Sequence, residues 1–222
     1  MLTDDPGTPG DGHLETNVAV TFESARSQRS WELPDVDLNY GLGDTIQINL
    51  EASLAMLRSQ GPSHWGAGAT SVAVKWRFAD QDRAGVALSV YPRIEHALFR
   101  SSSRRGLADS GTQVLLPIQA ARQFGALGID AEGGSLLNSS GRSQWIYGLV
   151  AGLAIDSTSE VMGELHGEAL SRFDGNSLIA NVGFRRQVAA DLKWIASIGH
   201  AVGARLEDTP TWVAYCGLQW LR

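Results

Sequence analysis

The sequence has no long apolar run, little proline and a single cysteine. No stretch of its 222 residues approaches the roughly 18 consecutive apolar residues that a membrane-spanning helix requires, which excludes helical membrane proteins. Cys216, standing alone, excludes an internal disulfide. Only 7 prolines stand beside 25 glycines, which excludes a proline-rich linker and fits strands joined by tight turns. The formal net charge of -6 excludes a whole-chain attraction to nucleic acid.

Apolar and polar residues alternate with a period of two from His13 almost to Arg222, which predicts β-strands. The alternation averages to a middling hydropathy, as in a transmembrane barrel whose strands face lipid on one side only. We therefore predict an all-β, transmembrane, antiparallel up-and-down β-barrel of about twelve strands. It forms one domain over residues 13–222, after a polar leader at 1–12. The predicted strands span residues 13–24, 31–41, 44–56, 65–78, 85–96, 112–122, 125–134, 144–155, 160–171, 177–186, 191–201 and 211–221.

The third predicted strand shows the alternation most clearly. Ile46, Ile48, Leu50 and Leu54 share one face, and Glu51 with its polar neighbours shares the other. Alternation alone does not say which face is inside, because a soluble barrel or sandwich alternates too. The lengths of the connections favour the membrane form. Those after even-numbered strands are short, as at 41–44 and 156–159, and those after odd-numbered strands are longer, as at 97–111 and 135–143, a rhythm typical of outer-membrane barrels.

Large aromatic residues are predicted near strand ends, with smaller aliphatic residues at mid-strand. Amphipathic rings prefer the headgroup region of a bilayer, so two aromatic girdles are expected. Trp31 and Trp65 also lie at outer ends, but simple alternation points them inward unless a bulge near Pro34 or at 66–68 intervenes. The expected girdle residues are Tyr40, Trp76, Phe78, Phe184, Trp194 and Trp220 at periplasmic ends, and Phe22, Trp145, Tyr147 and Trp212 at outer ends.

The polar faces of the strands carry charges of both signs, as expected of a lumen in which charges pair across strands. The opposite faces are nearly free of charge at mid-strand, where a lipid-exposed arginine or lysine would cost about 2–4 kcal/mol. The predicted lumen-lining residues are Glu15, Asp35, Asp37, Glu51, Lys75, Arg77, Arg93, Asp130, Glu132, Glu164, His166, Glu168, Arg185 and Lys193. Six bases could form a ladder that selects anions, or could pair with facing carboxylates and narrow the pore. They are Lys75, Arg77, Arg93, Arg122, Arg185 and Lys193.

Two segments resemble known outer-membrane proteins. Residues 2–17 resemble the mature start of the MetA-pathway of phenol degradation family, whose members carry a similar acidic, Pro- and Gly-rich leader before a strand with Glu and Asn. Residues 215–222 resemble the C-terminal signal read by the barrel-assembly machinery, with Arg222 where an aromatic residue is usual. The family resemblance implies a barrel of this size, passage of small or hydrophobic compounds and no established catalytic residues.

The leader, residues 2–12, is expected either to enter the lumen as a small plug or to be disordered. Because an outer-membrane protein needs an export signal and none is visible, we expect a mature form with an added Met. In the longest outer loop, residues 101–105 read Ser-Ser-Ser-Arg-Arg. They are expected to be solvated or to contact lipopolysaccharide phosphates.

Glu164, His166 and Glu168 share one face of the ninth predicted strand, with successive side chains about 7 Å apart. They could hold a metal, supply the base of a lipid hydrolase or form a hydrogen-bonded lumen network. Alternation points them inward, whereas a lipid hydrolase needs groups that face lipid, so the network is favoured. No Gly-x-Ser-x-Gly, His-Glu-x-x-His, phosphate-loop or zinc-spaced pattern occurs. We therefore predict no catalytic residue, metal or cofactor.

These features together predict a non-enzymatic, passive outer-membrane channel or transporter for small, hydrophobic or weakly polar molecules. Its selectivity would be set by lumen-facing charges, and its expected surroundings are outer-membrane lipid or detergent, with no nucleic-acid partner. Two alternatives stay open at this point. One is an outer-membrane lipid hydrolase built on His166, and the other is a soluble barrel that binds an apolar ligand inside.

Overall fold

A computed structural model of the chain describes residues 1–172, 175–203 and 209–222, and it is a closed antiparallel β-barrel. Strand β1 pairs with β2 on one side and with β13, the last strand, on the other, which closes the sheet. Two short helices, α1 (Gln81–Ala84) and α2 (Arg100–Arg104), lie in connections. In the described residues the strands are β1 (Leu14–Ser24), β2 (Arg29–Leu42), β3 (Ile46–Arg58), β4 (His64–Ala79), β5 (Ala87–Val90), β6 (Arg93–His96), β7 (Thr112–Phe124), β8 (Leu127–Asn138), β9 (Gln144–Ala154), β10 (Ser159–Leu170), β11 (Asn176–Ala189), β12 (Leu192–Ala201) and β13 (Trp212–Leu221).

Strands β5 and β6 are two halves of one barrel strand. Each pairs with β4 on one side and with β7 on the other. Tyr91 and Pro92 separate them, and Pro92 has no N–H for the ladder. Its carbonyl still accepts a hydrogen bond from the Val74 N–H at 3.1 Å, which holds the wall together at the interruption. Counted this way, the described part of the chain forms a twelve-stranded barrel, and the predicted fold class is confirmed.

All twelve predicted strands are present, and their ends move by at most four residues. The largest change is in β8, which continues past the predicted end at residue 134 to Asn138. The additional residues of β8 follow the two glycines at 133–134. In the structure Gly134 pairs with Pro117 of β7, and a Cβ at Gly134 would lie 2.6 Å from the Pro117 Cα. The glycine therefore allows two backbones to approach closely rather than ending the strand.

The connections at the two ends of the barrel differ in length, as predicted, with one exception. At the end we call the turn end, the connections are 43–45, 125–126, 155–158 and 190–191. At the other end, the loop end, the longest connection is 97–111. The exception is the 80–86 connection at the turn end, which contains α1 and is longer than the 25–28 connection at the loop end. No helix in the described ranges is long and apolar enough to cross a bilayer.

The apolar faces of the strands form the outer surface of the barrel. On β3, Ile48, Leu50 and Leu54 are 42%, 45% and 50% exposed, whereas Asn49 is only 2% exposed. Since successive residues of a strand point to opposite faces, the polar side chains lie inside. This arrangement is opposite to that of a soluble barrel with an apolar interior, so the soluble alternative was wrong.

Candidate functional site

The lumen is lined on β1 to β3 by a network of amides and carboxylates. Asn39 Nδ2 donates to Asp37 at 3.1 Å, and Gln47 Nε2 donates to Asn39 at 2.6 Å. Asn17 Nδ2 donates to both Glu15 and Asp37 at 3.1 Å. The buried amide of Asn39 and the half-buried amide of Asn17 thus satisfy these carboxylates, and no described base lies within ion-pairing distance of Glu15 or Asp37. This side of the lumen is a fixed acidic wall.

Three lumen bases lie in ion pairs. Lys75 Nζ is 3.2 Å from Asp4 Oδ1, and Arg93 Nη1 is 3.7 Å from Glu51 Oε2. Arg185 Nη2 is 2.5 Å from Glu160 Oε2, with Nε at 3.0 Å from the same oxygen. Their charges are therefore matched locally rather than free to attract anions.

Lys75 is only 3% exposed, although it carries a charge. Besides Asp4, its ammonium donates to the Asp5 carbonyl at 2.6 Å and lies 4.5 Å from the centre of the Tyr91 ring. A carboxylate, a carbonyl and an aromatic face together replace the water that a buried ammonium loses. Two of these partners belong to the leader, so the leader completes the environment of Lys75.

A cavity of about 500 Å³ occupies the centre of the lumen. Its polar lining includes residues of the wall and of the leader, and acidic groups outnumber basic ones. The described lining holds eight carboxylates, Asp4, Asp5, Glu15, Asp35, Asp37, Glu51, Asp130 and Glu160, and four bases, Lys75, Arg93, Arg185 and Lys193. The electrostatic potential of the cavity is consequently expected to be negative.

The leader lies inside the barrel and is held at Glu164 of β10. The backbone N–H groups of Leu2 and Thr3 donate to the two Glu164 carboxylate oxygens at 3.0 and 2.5 Å. Asn181 Nδ2 donates to the same carboxylate at 2.9 Å, and the Thr3 hydroxyl lies 3.2 Å from His166 Nδ1. Glu164 is 4% exposed, so these contacts take place away from bulk water. Charge-assisted hydrogen bonds of this kind are among the stronger ones in proteins.

Glycines of the wall provide the space that the leader occupies. A Cβ built on Gly148 of β9 would lie 1.9 Å from the Thr3 hydroxyl oxygen. A Cβ on Gly41 of β2 would lie 1.8 Å from the carbonyl oxygen of Gly10. Neither position can carry a side chain while the leader is in place. The inner surface of the barrel is therefore shaped to fit this segment.

His166 and its acidic neighbours lie in the lumen. Together with Glu132, Glu168 and Leu2, His166 lines a second cavity of about 210 Å³. Because His166 contacts the leader through Thr3, it does not face lipid, which removes the geometric basis of the lipid hydrolase alternative. Among the described residues, no group of three or more His, Cys, Asp or Glu side chains is arranged to hold a metal ion.

The connection 97–111 covers part of the loop-end mouth. Ala97, Ser102 and Leu107 are buried in it. Leu107, Glu32 and Glu95 line a third cavity, of about 320 Å³. Glu95 also lines the second cavity, and Tyr91 and Arg93 line both the second and the central one. The three cavities thus follow one another along the barrel interior and share walls.

The remaining predicted lumen residues are distributed along this path. Asp130 and Lys193 line the central cavity. Glu132 accepts a hydrogen bond from Gln119 Nε2 at 2.8 Å. Arg77 lies at the turn end, where it donates to the Asp44 carbonyl at 2.7 Å and lies 3.8 Å from Asp80.

Arg122 was wrongly grouped with the lumen bases. Its neighbours at alternate positions, Leu116, Ile118 and Phe124, are 47%, 59% and 53% exposed, so this face of β7 is the outer one. The Arg122 guanidinium lies 4.8 Å from the centre of the Phe124 ring, near the turn end of the barrel. The positive charge of Arg122 suggested a place in the lumen, but the alternation of β7 puts this residue on the outer face.

Sequence reasoning also missed several lumen residues. Glu160, Tyr91 and Asp4 contact the predicted bases but were not identified. Gln119 and Ser89 are fully buried and hydrogen-bonded to each other at 2.7 Å. Uncharged polar residues at inward positions of β5 and β7 were the available signal for this pair.

The predicted girdle aromatics lie on the outer surface near strand ends. Seven of them are exposed, Tyr40, Trp76, Phe78, Trp145, Tyr147, Trp194 and Trp212, while Phe22, Phe184 and Trp220 are partly exposed. An extra residue in β2 between Glu32 and Asp35, and another in β4 between Ala67 and Thr70, shift the alternation. With these bulges the Trp31 and Phe22 rings lie 5.2 Å apart, tilted by 46°, and Trp65 is 55% exposed. Both tryptophans therefore join the outer surface.

Comparison with known proteins supports the fold. No family model matches the chain, and no curated protein sequence matches it, so the resemblance to the MetA-pathway family stays a prediction. Among solved structures, the COG4313 outer membrane channel from Pseudomonas putida F1 is similar, with a TM-score of 0.71, 14% identity, and coverage of 100% of this chain and 99% of that one.

Two porins show the same architecture. The NanC porin has a TM-score of 0.67 at 7% identity, and the KdgM porin 0.63 at 8% identity; each match covers 92% of this chain and 98% of the porin. Identities this low establish the fold and leave the solute open. The chain has the fold of outer-membrane β-barrel channels and porins.

Proposed function

We propose that the protein is a passive channel of the bacterial outer membrane for small polar and weakly polar solutes, with a preference for cations. The observation that carries this proposal is the series of polar cavities inside a closed barrel whose outer surface is apolar. The similar solved structures, an outer-membrane channel and two porins, support it. A lumen lined by charges favours polar solutes over the hydrophobic ones that the family resemblance implies.

The cation preference follows from the balance of charge. Three of the four bases in the central cavity are paired with Asp4, Glu51 or Glu160. The carboxylates around Asp37 accept hydrogen bonds from amides, which carry no charge, so the negative charge of this wall is not neutralised. A solute passing the centre therefore meets more unpaired negative than positive charge, and cations are attracted there.

The same proposal includes a location in the outer membrane, insertion by the barrel-assembly machinery and the absence of enzymatic activity. The exposed aliphatic wall and the aromatic residues at strand ends fit a bilayer. Residues 215–221 form the turn-end part of β13, with Trp220 opposite Thr16 of β1, and we assign residues 215–222 as the segment recognised by the barrel-assembly machinery. We assign no catalytic role to His166, because its ring contacts the leader inside the lumen.

Reversal potentials in planar bilayers under a salt gradient test the proposal. Arg185→Glu places a second carboxylate beside Glu160 and should raise the cation-to-anion permeability ratio by roughly fivefold, the effect of about 1 kcal/mol of Coulomb energy. Arg122→Glu is the matched control, because it makes the same change of charge on the outer surface. Absence of conductance in the wild-type protein, or an equal effect of both variants, would contradict the proposal.

A further inference from the structure

A groove at the loop end is lined by three arginines. It has a volume of about 350 Å³ and lies between the connection 25–28 and the end of β3. Arg26, Arg29 and Arg58 line it, with Gln28 and Gln60 among the uncharged residues, and no carboxylate is among its described lining residues. All three arginines are exposed and none forms an ion pair with another described residue.

Two of the arginines face each other on neighbouring strands. Arg29 of β2 is the direct partner of Arg58 of β3. Like charges directly opposite each other in an antiparallel pair repel. An anion between the two guanidinium groups would replace this repulsion by two attractive, charge-assisted contacts. The register of the sheet therefore places two like charges side by side at this point.

The site opens toward the outer surface of the barrel. Arg29 is two residues from Trp31, and Arg58 is four residues from Leu54, which is 50% exposed to the outside. Residues two and four apart on a strand share a face. The arginine pair therefore lies directly above the aromatic residues Trp31 and Trp65, where the phosphates of a lipid layer would be found.

The connection 97–111 adds a fourth arginine and exposed apolar side chains at the loop end. Arg105 Nη1 donates to the Trp65 carbonyl at 3.2 Å, which fixes it above β4, the next strand along the wall. Leu98 and Phe99, in the same connection as Arg105, are 65% and 57% exposed. Positive charge beside exposed apolar side chains matches an amphipathic partner with an anionic head and acyl chains.

We infer that this groove binds a phosphate group of an outer-leaflet lipid, the phosphorylated glycolipid of the outer membrane. The inference rests on the proposed outer-membrane location, with the loop end facing outward. Guanidinium groups bind phosphate oxygens bidentately, and the glutamine side chains supply further donors. The acyl chains of the bound lipid then lie along the apolar outer faces of β2 to β4.

Binding of fluorescent bisphosphorylated lipid A to the detergent-solubilised full chain tests the inference. The double variant Arg29→Gln/Arg58→Gln should bind at least about fivefold more weakly, the factor expected for loss of one arginine–phosphate attraction. The matched control is Arg142→Gln/Arg172→Gln, which removes two exposed arginines from other loop-end connections and should change affinity by less than about twofold. Retention of the heat-dependent gel shift of a folded barrel verifies each variant.

Two further arms use wild-type protein. Dephosphorylated lipid A should bind at least about fivefold more weakly than the bisphosphorylated form. Equal binding of the two lipids, equal loss in both double variants, or full displacement by millimolar inorganic phosphate would overturn the inference. Conductance measured on the same preparations separates the two proposals. Conductance without lipid A binding would contradict only the inferred lipid site, and lipid A binding without conductance would contradict only the proposed channel function.

Discussion

Replacement of Glu164 by glutamine is expected to release the leader from the wall. The Glu164 carboxylate accepts hydrogen bonds from the Leu2 and Thr3 N–H groups at 3.0 and 2.5 Å, and the side chain is only 4% exposed. Glutamine has nearly the same shape, but it keeps one acceptor oxygen and replaces the other by an NH₂ donor. One backbone N–H then faces a donor, and the other keeps a weaker, neutral hydrogen bond.

The magnitude follows from these two bonds. Hydrogen bonds to a charged group contribute about 1.5–3 kcal/mol each, and a neutral one about 1 kcal/mol. Losing one and weakening the other should cost about 2–5 kcal/mol of docking free energy. That cost corresponds to an increase of roughly 30- to 4,000-fold in the population of released leader.

Hydrogen–deuterium exchange measures this change directly, because the Leu2 and Thr3 amides exchange only when their bonds to Glu164 open. Their protection should fall by that factor in Glu164→Gln. The matched control is Glu132→Gln, which removes another buried lumen carboxylate whose hydrogen bond comes from Gln119 rather than from the leader. Unchanged protection in the Glu164 variant, or an equal fall in the control, would refute the assignment of these bonds as the anchor.

Two other predictions concern the leader and a turn. Gly148→Ala should displace Thr3, because the new methyl group would overlap its hydroxyl, and should change single-channel conductance; Gly133→Ala, with open space around it, should not. At Asp156, hydrogen bonds from the Thr158 N–H and hydroxyl, at 2.7 and 2.8 Å, hold the pKa below its ordinary value. The contribution of these hydrogen bonds to the stability of the folded protein is therefore present at pH values above the ordinary pKa of an aspartate. It is lost as the pH falls through the lowered pKa of Asp156. The melting temperature of Asp156→Asn should lie below that of the wild type at neutral pH, and the difference should disappear once the pH falls below the lowered pKa of Asp156.

The strands of the barrel could be predicted because a single physical requirement acts on every one of them. Each strand must present an apolar face to lipid and a polar face to the lumen. Outward apolar residues such as Ile48 and inward polar residues such as Asn49 therefore alternate along the strands. The requirement also fixes register, since a slip of one residue would exchange the two faces. The interruption at Tyr91 and Pro92 was not predicted, because the alternation continues across it in the sequence.

The contents of the lumen could be predicted only in part. Alternation places Glu51 and Arg185 inside, but it does not say that Arg93 and Glu160 are their partners, because partners come from strands whose relative stagger the sequence does not reveal. The contact between Lys75 and Asp4 joins residues that are far apart in the chain and follows from the path of the leader. A local sequence pattern fixes which face of a strand a residue occupies, but it does not identify the residue's partner on another strand or in the leader.

The leader is part of the electrostatics of the lumen as well as part of its volume. A barrel of twelve strands lies between eight-stranded barrels, which side chains fill, and porins of sixteen or more strands, which leave an aqueous channel. Here the leader takes up some of the intermediate space and brings Asp4 and Asp5 to the central cavity. If it leaves, the lumen widens, two carboxylates depart, and the buried ammonium of Lys75 loses its ion pair and its carbonyl partner. A wider pore and a weaker preference for cations are therefore expected to appear together, because the same contacts control both properties.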